Sequence, residues 1–116
     1  MLTNFGKALR KIRIENNELL KDMASKLNVT VAYLSAVENG NREVPDSWID
    51  ILSKAYDLTS AEKKQIQSYA YEKKENIKIS LSNIDQDEKE LALAFARSFK
   101  ELSDEDIKKL KSFFER

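Results

Sequence analysis

The sequence predicts an all-α fold on the strength of three observations. Apolar residues recur three and four positions apart in successive stretches of the chain, which is the spacing of one helix face. Several stretches open with Thr, Ser or Asp followed three residues later by an acidic residue, a pattern that caps a helix start, as at Thr59, Asp85 and Ser103. Gly40 closes one short stretch, because glycine takes the left-handed position after a helix without strain.

The first two predicted helices cover about residues 3–16 and 19–27. Phe5, Leu9 and Ile12 give the first helix an apolar stripe. The second helix lacks a clear cap. Either its start is shifted along the chain, or Leu19 and Leu20 fill a gap in the core.

The third predicted helix, residues 30–39, follows a tight turn at residues 27–29. Thr30 is its candidate N-cap, since the hydroxyl can accept a hydrogen bond from a backbone N–H of the first turn. Leu34 and Val37 lie three residues apart on one face. Apolar residues on both sides of the turn can lock the two helices at a steep angle. That is the arrangement of a helix-turn-helix, whose second helix can enter the major groove of DNA.

Two further helices complete the predicted N-terminal domain. Pro45 opens the fourth, because the missing N–H is no loss at a helix start. Trp48 and Leu52 repeat at helical spacing and are expected in the core. Thr59 and Glu62 form a capping box that starts a fifth helix, which runs to about Lys74.

The remaining chain is predicted to be a linker, residues 76–84, and a two-helix appendage, residues 85–116. Ile77, Ile79 and Leu81 alternate with polar residues. This pattern fits a short edge strand, which could pair with its own copy, and equally an extended linker that buries alternate side chains. The appendage helices begin at Asp85 and Ser103.

The two appendage helices carry apolar stripes that such short helices cannot bury alone. The residues expected in the resulting contact are Leu91, Phe95, Phe99, Ile107, Leu110, Phe113 and Phe114. They can pack back on the five-helix domain or on a second copy. We favour dimerisation, because a reader of a single half-site rarely binds tightly by itself.

Composition excludes several classes of function. The chain has no cysteine and no histidine, which rules out disulfides, thiolate chemistry and His or Cys metal sites, and removes the usual general base. Ser35 therefore has no histidine to activate it. We expect no catalytic site, metal or cofactor. No apolar run approaches the roughly 18 residues of a membrane span, and no signal peptide is apparent, so a cytoplasmic protein is expected.

The charges are balanced in total but not along the chain. Lys plus Arg and Asp plus Glu both number 20, whereas DNA-binding domains are often basic. Residues 1–42 nevertheless hold seven basic and four acidic residues, and residues 43–62 hold one basic and five acidic residues. The positive excess thus coincides with the segment that would face DNA, and it predicts a modest nonspecific affinity.

The stretch from Ala24 to Pro45, with Arg13 upstream, resembles the Cro/CI-type helix-turn-helix family, also called the XRE or lambda-repressor-like family. The residues that carry the resemblance are Arg13, Ala24, Leu27, Val29, Tyr33, Leu34, Ser35, Glu38, Gly40, Arg42 and Pro45. It covers roughly residues 3–72. It implies a five-helix lambda-repressor-like DNA-binding domain, which we place at residues 1–75, whose third helix reads the major groove.

The resemblance also implies roles for particular side chains. The base-facing positions are Thr30, Val31, Ala32, Ser35 and Ala36. The phosphate-contacting candidates are Lys21, Tyr33, Asn39, Asn41 and Arg42. Arg13 and Glu38 form a structural ion pair that fixes the first helix against the third. The chain departs from the family where a Ser or Thr cap and a Gln usually start the second helix.

Two of these assignments have alternatives. The Tyr33 hydroxyl can contact a phosphate or sugar, or the ring can pack against the first helix with only its tip exposed. The loop 39–42 offers backbone N–H groups, amides and a guanidinium, the chemistry that grips phosphate, but it can also be a simple glycine-terminated helix end.

The sequence therefore predicts a sequence-specific regulator that binds double-stranded DNA, most simply a dimeric repressor. The alternative is a protein-interaction module on the same fold, an antirepressor or antitoxin-like adaptor that holds a protein partner. The apolar base-facing positions and the zero net charge favour that alternative.

Overall fold

The computed structural model describes residues 1–115, which separate into two compact units, Met1–Ile77 and a second unit that begins at Lys78. The described residues contain helices and no strand, so the all-α prediction is confirmed. No helix within residues 1–115 is long and apolar enough to cross a membrane. The helices are α1 Asn4–Glu15, α2 Leu20–Lys26, α3 Val31–Glu38, α4 Trp48–Ala55, α5 Ser60–Tyr71, α6 Gln86–Ser98 and α7 Asp104–Phe114, with a short 3-10 helix at Phe99–Glu101.

The predicted N-caps form in the structure. The Thr30 hydroxyl accepts from the Tyr33 N–H at 3.0 Å and starts α3. Thr59 and Ser103 make capping boxes at α5 and α7, and the Asp85 carboxylate caps α6. Each bond satisfies a backbone donor that a helix start leaves free, so the helix starts follow directly from local sequence.

The core of the first unit is built from the inward faces of α1 to α5. Its largest fully buried side chains are Phe5, Leu9, Met23, Leu34, Val37 and Leu52. Trp48 is also buried, at 2% exposure, as its helical spacing predicts. Packing of these faces against one another, more than helix propensity, stabilises helices as short as α2 and α3.

Gly6 lets α1 approach the end of α3 more closely than any other residue would. A Cβ at this position would lie 2.3 Å from the Glu38 carbonyl oxygen. That oxygen accepts hydrogen bonds from the Thr3 backbone N–H at 3.0 Å and from the Thr3 hydroxyl at 3.1 Å. The start of α1 thus supplies donors to a carbonyl at the end of α3, which a helix leaves without an intrahelical partner.

Some predicted boundaries are wrong. The fourth helix begins at Trp48 and not at Pro45, because Pro45 leads into a turn that the Trp48 N–H closes by donating to the Pro45 carbonyl at 3.1 Å. The fifth ends at Tyr71. Leu20 packs partly against the core, but Leu19 is 63% exposed, so Leu19 does not fill a gap in it.

The segment after α5 adopts neither predicted form within the chain. No strand is present among residues 76–84 of the described structure, and Ile77, Ile79 and Leu81 are all exposed. An isolated stretch of alternating residues has no partner strand to satisfy its backbone groups. The alternation of apolar and polar residues therefore did not by itself determine the conformation of this segment.

Candidate nucleic-acid interface

The helix-turn-helix is formed by α2, a left-handed turn and α3. Asn28 adopts φ 57°, a conformation that asparagine tolerates better than most residues. The Val29 N–H donates to the Ala24 carbonyl at 3.0 Å and closes the end of α2. A shallow groove of about 530 Å³ runs between the two helices and is lined by residues that include Lys21, Thr30 and Val31.

The five predicted base-facing residues occupy accessible positions on α3. Thr30, Val31 and Ala32 are exposed, and Ser35 and Ala36 are half-buried. Val31 exposes 43% of its surface, although it is apolar. Leu34 and Val37, on the opposite side of the helix, are buried. The large apolar side chains of α3 therefore face the core, and its solvent-facing surface consists mostly of small and weakly polar side chains.

Arg13 and Glu38 make a buried bidentate ion pair between α1 and α3. The guanidinium donates through Nη1 to Glu38 Oε2 at 2.5 Å and through Nη2 to Oε1 at 3.1 Å. Nη1 also contacts the Met23 sulfur at 3.3 Å. Both side chains are almost completely buried, at 8% and 4% exposure. This geometry holds the far end of α3 rigidly against α1 and leaves Arg13 inaccessible to DNA.

Tyr33 lies between a core tryptophan and an exposed arginine. Its ring centroid is 6.0 Å from that of Trp48 in α4, in a tilted arrangement. The Arg42 guanidinium carbon lies 4.8 Å from the Tyr33 ring centroid on a cation–π contact. The Tyr33 ring thus packs against Trp48 of α4 on one side. On the other side it orients the Arg42 side chain.

The loop after α3 uses its backbone donors to end the helix. Gly40 adopts φ 79°. The Gly40 N–H donates to the Val37 carbonyl at 3.1 Å, and the Asn41 N–H donates to the Ala36 carbonyl at 2.9 Å, the paired bonds of a Schellman motif. These two N–H groups are occupied and cannot also bond to a phosphate, whereas the exposed side chains at 41 and 42 can.

The Asn39 side chain is partly used by the end of α3. Its side-chain amide donates to the Ser35 carbonyl of the preceding turn at 2.9 Å and approaches the Ser35 hydroxyl at 3.5 Å. The amide nitrogen carries two N–H groups, so this bond uses one of them and the second remains able to meet a phosphate. Asn41 and Arg42, by contrast, are exposed.

The start of α2 is capped by Asp22, a role that was not predicted from the sequence. The Asp22 carboxylate accepts from the Leu19 N–H at 2.8 Å, which is one half of a capping box. Leu19 has no side-chain acceptor to complete the other half. The spacing of Asp22 three residues after Leu19 is the signal that could have identified it. Its negative charge lies in the first turn of α2, beside Lys21 in sequence.

A second charged cluster joins α2 to the end of α4. The Lys26 ammonium pairs with Glu18 at 2.5 Å and lies 4.4 Å from the Tyr56 ring centroid. The Tyr56 hydroxyl donates to the other Glu18 oxygen at 3.1 Å. Burial, together with this bond to a carboxylate, raises the pKa of Tyr56 well above its usual value near 10. Lys26 is thus held by the protein and is a poor candidate for contact with DNA.

Comparison with known proteins gives one match. A helix-turn-helix family model matches residues 9–63. Searches of curated proteins and of solved structures return no match. The matched span includes α2, α3 and the loop that follows, and it contains all the predicted DNA-contacting residues and both members of the buried ion pair.

Proposed function

Residues 9–63 belong to the helix-turn-helix family, and on that premise we propose that the protein is a sequence-specific regulator of transcription that binds double-stranded DNA. The observation that carries the proposal is the difference between the two faces of α3. Its inner face is locked by Leu34, Val37 and the buried pair of Arg13 and Glu38, while its outer face is accessible. A helix held this rigidly can enter a major groove as a unit.

The chemistry of the outer face predicts how bases are read. Val31, Ala32 and Ala36 cannot make the bidentate hydrogen bonds that distinguish purines best, but they can pack on the methyl group of thymine. Thr30 and Ser35 carry hydroxyls that can bond to bases or phosphates. The protein therefore selects its site mainly through thymine methyls, with two hydroxyl contacts in support.

Phosphate contacts position α3 in the groove. Arg42 is the principal candidate, since its guanidinium is exposed and oriented by the Tyr33 ring. The Asn41 amide and the Lys21 ammonium are exposed and add weaker contacts. Such contacts fix register without reading sequence.

The regulator acts as a homodimer in this proposal. Two recognition helices related by a two-fold axis would enter major grooves about 34–36 Å apart on one face of the duplex, and the operator would be palindromic. The simplest consequence is repression, in which the bound dimer blocks polymerase at an overlapping promoter in the cytoplasm.

A titration of fluorescent duplexes at several salt concentrations tests DNA binding. The site would first be selected from random duplex DNA. We expect affinity to fall with salt, because phosphate contacts release counterions. Arg42→Ala should weaken binding to all sequences about equally and flatten the salt dependence by roughly one counterion. Lys64→Ala, an exposed lysine of α5, is the matched control and should leave binding unchanged. Binding to no duplex at low salt would refute the proposal.

Replacing thymine by uracil in the selected site tests the readout by methyl groups. Uracil keeps every hydrogen-bonding group and lacks only the methyl, so affinity for the site should fall while nonspecific affinity is unchanged. Val31→Ser should remove most of the difference between the thymine and uracil duplexes. Equal affinities for the two duplexes with the wild-type protein would refute methyl readout.

A protein-interaction role on the same fold is the second candidate, and the exposed apolar side chains of α6 and α7 favour it. It predicts a chain that remains monomeric, ignores duplex DNA and binds one protein partner stoichiometrically. The DNA titration separates the two candidates directly.

A further inference from the structure

A cleft of about 350 Å³ in the first unit lies beside the loop that follows α3. It is lined by residues from the start of α1, from that loop and from the end of α5 with the residues just after it. Arg42 of the loop and Lys73, which follows α5, both line the cleft, and both are exposed. Two cations from distant parts of the chain therefore border one cavity next to the proposed DNA-binding surface.

The residues on either side of Lys73 are anchored to other parts of the first unit. The Asn4 side-chain amide donates to the two oxygens of the Glu72 carboxylate at 3.3 and 3.1 Å, which ties the end of α5 to the start of α1. The Lys74 ammonium pairs with Asp46 at 2.8 Å, and the Lys74 side chain is only 12% exposed. The backbone is thus held in place both before and after Lys73.

The Lys73 ammonium lies against the backbone of the loop. Its Nζ is 3.4 Å from the point that a Cβ on Gly40 would occupy, so it stands beside the left-handed residue that ends α3. Within residues 1–115, Lys73 and Arg42 make no ion pair with a carboxylate. The Arg42 guanidinium rests on the Tyr33 ring instead. Both positive charges are therefore available to an anionic ligand.

We propose that Lys73 and Arg42 together hold one phosphate of the DNA backbone. The inference rests on the proposed function, and it adds to the interface a residue that lies outside the family-matched residues 9–63. Phosphate oxygens can accept hydrogen bonds from both cations, and the start of α1 adds the partial positive charge of a helix N-terminus. A phosphate held from two elements fixes the end of α3 on the strand more firmly than Arg42 alone.

The charges around the cleft favour a phosphate that belongs to DNA over a free phosphate ion. Two carboxylates, Glu43 and Glu72, also line the cleft, and they offset the charge of the two cations. A free anion therefore gains little by entering. A phosphate of a duplex that α3 already holds is presented at a high effective concentration, because its binding is then intramolecular.

A titration of the full chain with its selected fluorescent duplex, at several salt concentrations, tests the role of Lys73. Lys73→Gln should weaken binding to every duplex about fivefold, which corresponds to about 1 kcal/mol, and should flatten the salt dependence. Lys73→Arg keeps the charge and should bind nearly as the wild type does. Lys64→Gln, at an exposed lysine of α5, is the matched control and should change nothing. Wild-type affinity and salt dependence in Lys73→Gln would overturn the inference.

Ethylation of the backbone phosphates of the selected duplex tests whether the two cations share one phosphate. The contacted phosphates are those whose ethylation weakens binding of the wild-type protein. Lys73→Gln and Arg42→Ala should both lose this interference at the same phosphate. The double variant should lose less affinity than the product of the two single effects, because both substitutions remove one shared contact. Interference lost at two different phosphates, or single effects that simply multiply, would overturn the shared contact.

Inorganic phosphate tests whether the cleft takes a free anion instead. Titrated against chloride at equal ionic strength, it should give no saturable shift of the NMR amide signals of residues 40–42. Saturation at millimolar phosphate that Lys73→Gln abolishes would overturn the preference for DNA.

The DNA titration also distinguishes this inference from the proposed function. A wild-type chain that binds no duplex refutes the proposed function, and the inference with it. A wild-type chain that binds its selected site with an affinity that Lys73→Gln leaves unchanged refutes the inference alone.

Discussion

Breaking the buried pair of Arg13 and Glu38 should destabilise the first unit more than any surface substitution. Arg13→Met leaves the Glu38 carboxylate, 4% exposed, without its bidentate partner. Removing one member of a buried ion pair typically costs about 3–5 kcal/mol. A domain of this size is stable by about 5–15 kcal/mol. The single variant should therefore lose a large part of its stability.

The double variant Arg13→Met/Glu38→Leu should recover most of this loss. Two apolar side chains of similar volume remove both buried charges, and such replacements are often neutral or stabilising. The Met23 sulfur, 3.3 Å from the guanidinium, would then meet an apolar neighbour. The expected coupling free energy between the two positions is thus at least about 3 kcal/mol.

Urea unfolding followed by Trp48 fluorescence measures this cycle, because the chain has one tryptophan and it is buried in the first unit. Lys63→Gln, which breaks the exposed pair of Lys63 and Asp50, is the control and should barely move the midpoint. If the losses of the two single variants simply add in the double variant, Arg13 and Glu38 are not energetically coupled.

Three further substitutions test local features of the first unit. Gly6→Ala should lower the melting temperature by the equivalent of about 1–3 kcal/mol through overpacking against the Glu38 carbonyl. At an unobstructed helix position the same substitution would stabilise by about 1 kcal/mol. A raised melting temperature would therefore exclude the close contact. The raised pKa of Tyr56 means that its contribution to stability is present below pH 10 and is lost as pH rises above that value. In an absorbance titration one of the four tyrosines should ionise last, and Tyr56→Phe should abolish that late step; a titration unchanged by the substitution contradicts the bond to Glu18. Leu19→Ser should complete the half-formed cap of α2 and stabilise by about 1 kcal/mol in thermal unfolding, and no gain would mean that the helix start does not limit stability.

Much of the fold was predictable because its signals are local. The caps at Thr30, Thr59 and Ser103 each depend on a side chain and a backbone group three residues apart, a distance that sequence spacing fixes. The left-handed Gly40 follows from the stereochemistry of one residue. Such features need no knowledge of distant parts of the chain.

The helix-turn-helix was also visible in the sequence, because inward apolar residues and outward polar or small residues alternate with the helical period. The family match over residues 9–63 agrees with that interpretation. The pairing of Arg13 with Glu38 joins residues 25 apart, and it was anticipated from the family resemblance, since spacing does not reveal contacts between separate helices.

By itself, the sequence determined where the side-chain-capped helices α3, α5, α6 and α7 start and which face of each helix is apolar, since these properties depend on neighbours within one helical turn. Only the tertiary structure decided which donors are free for DNA. It showed that the backbone N–H groups of residues 39–41 and one N–H of the Asn39 amide are already bonded, that Tyr33 rests on Trp48, and that Gly6 is required where α1 meets α3. These outcomes depend on which surfaces meet, and a hydrogen-bonding group can serve a ligand only if no other part of the fold has already claimed it.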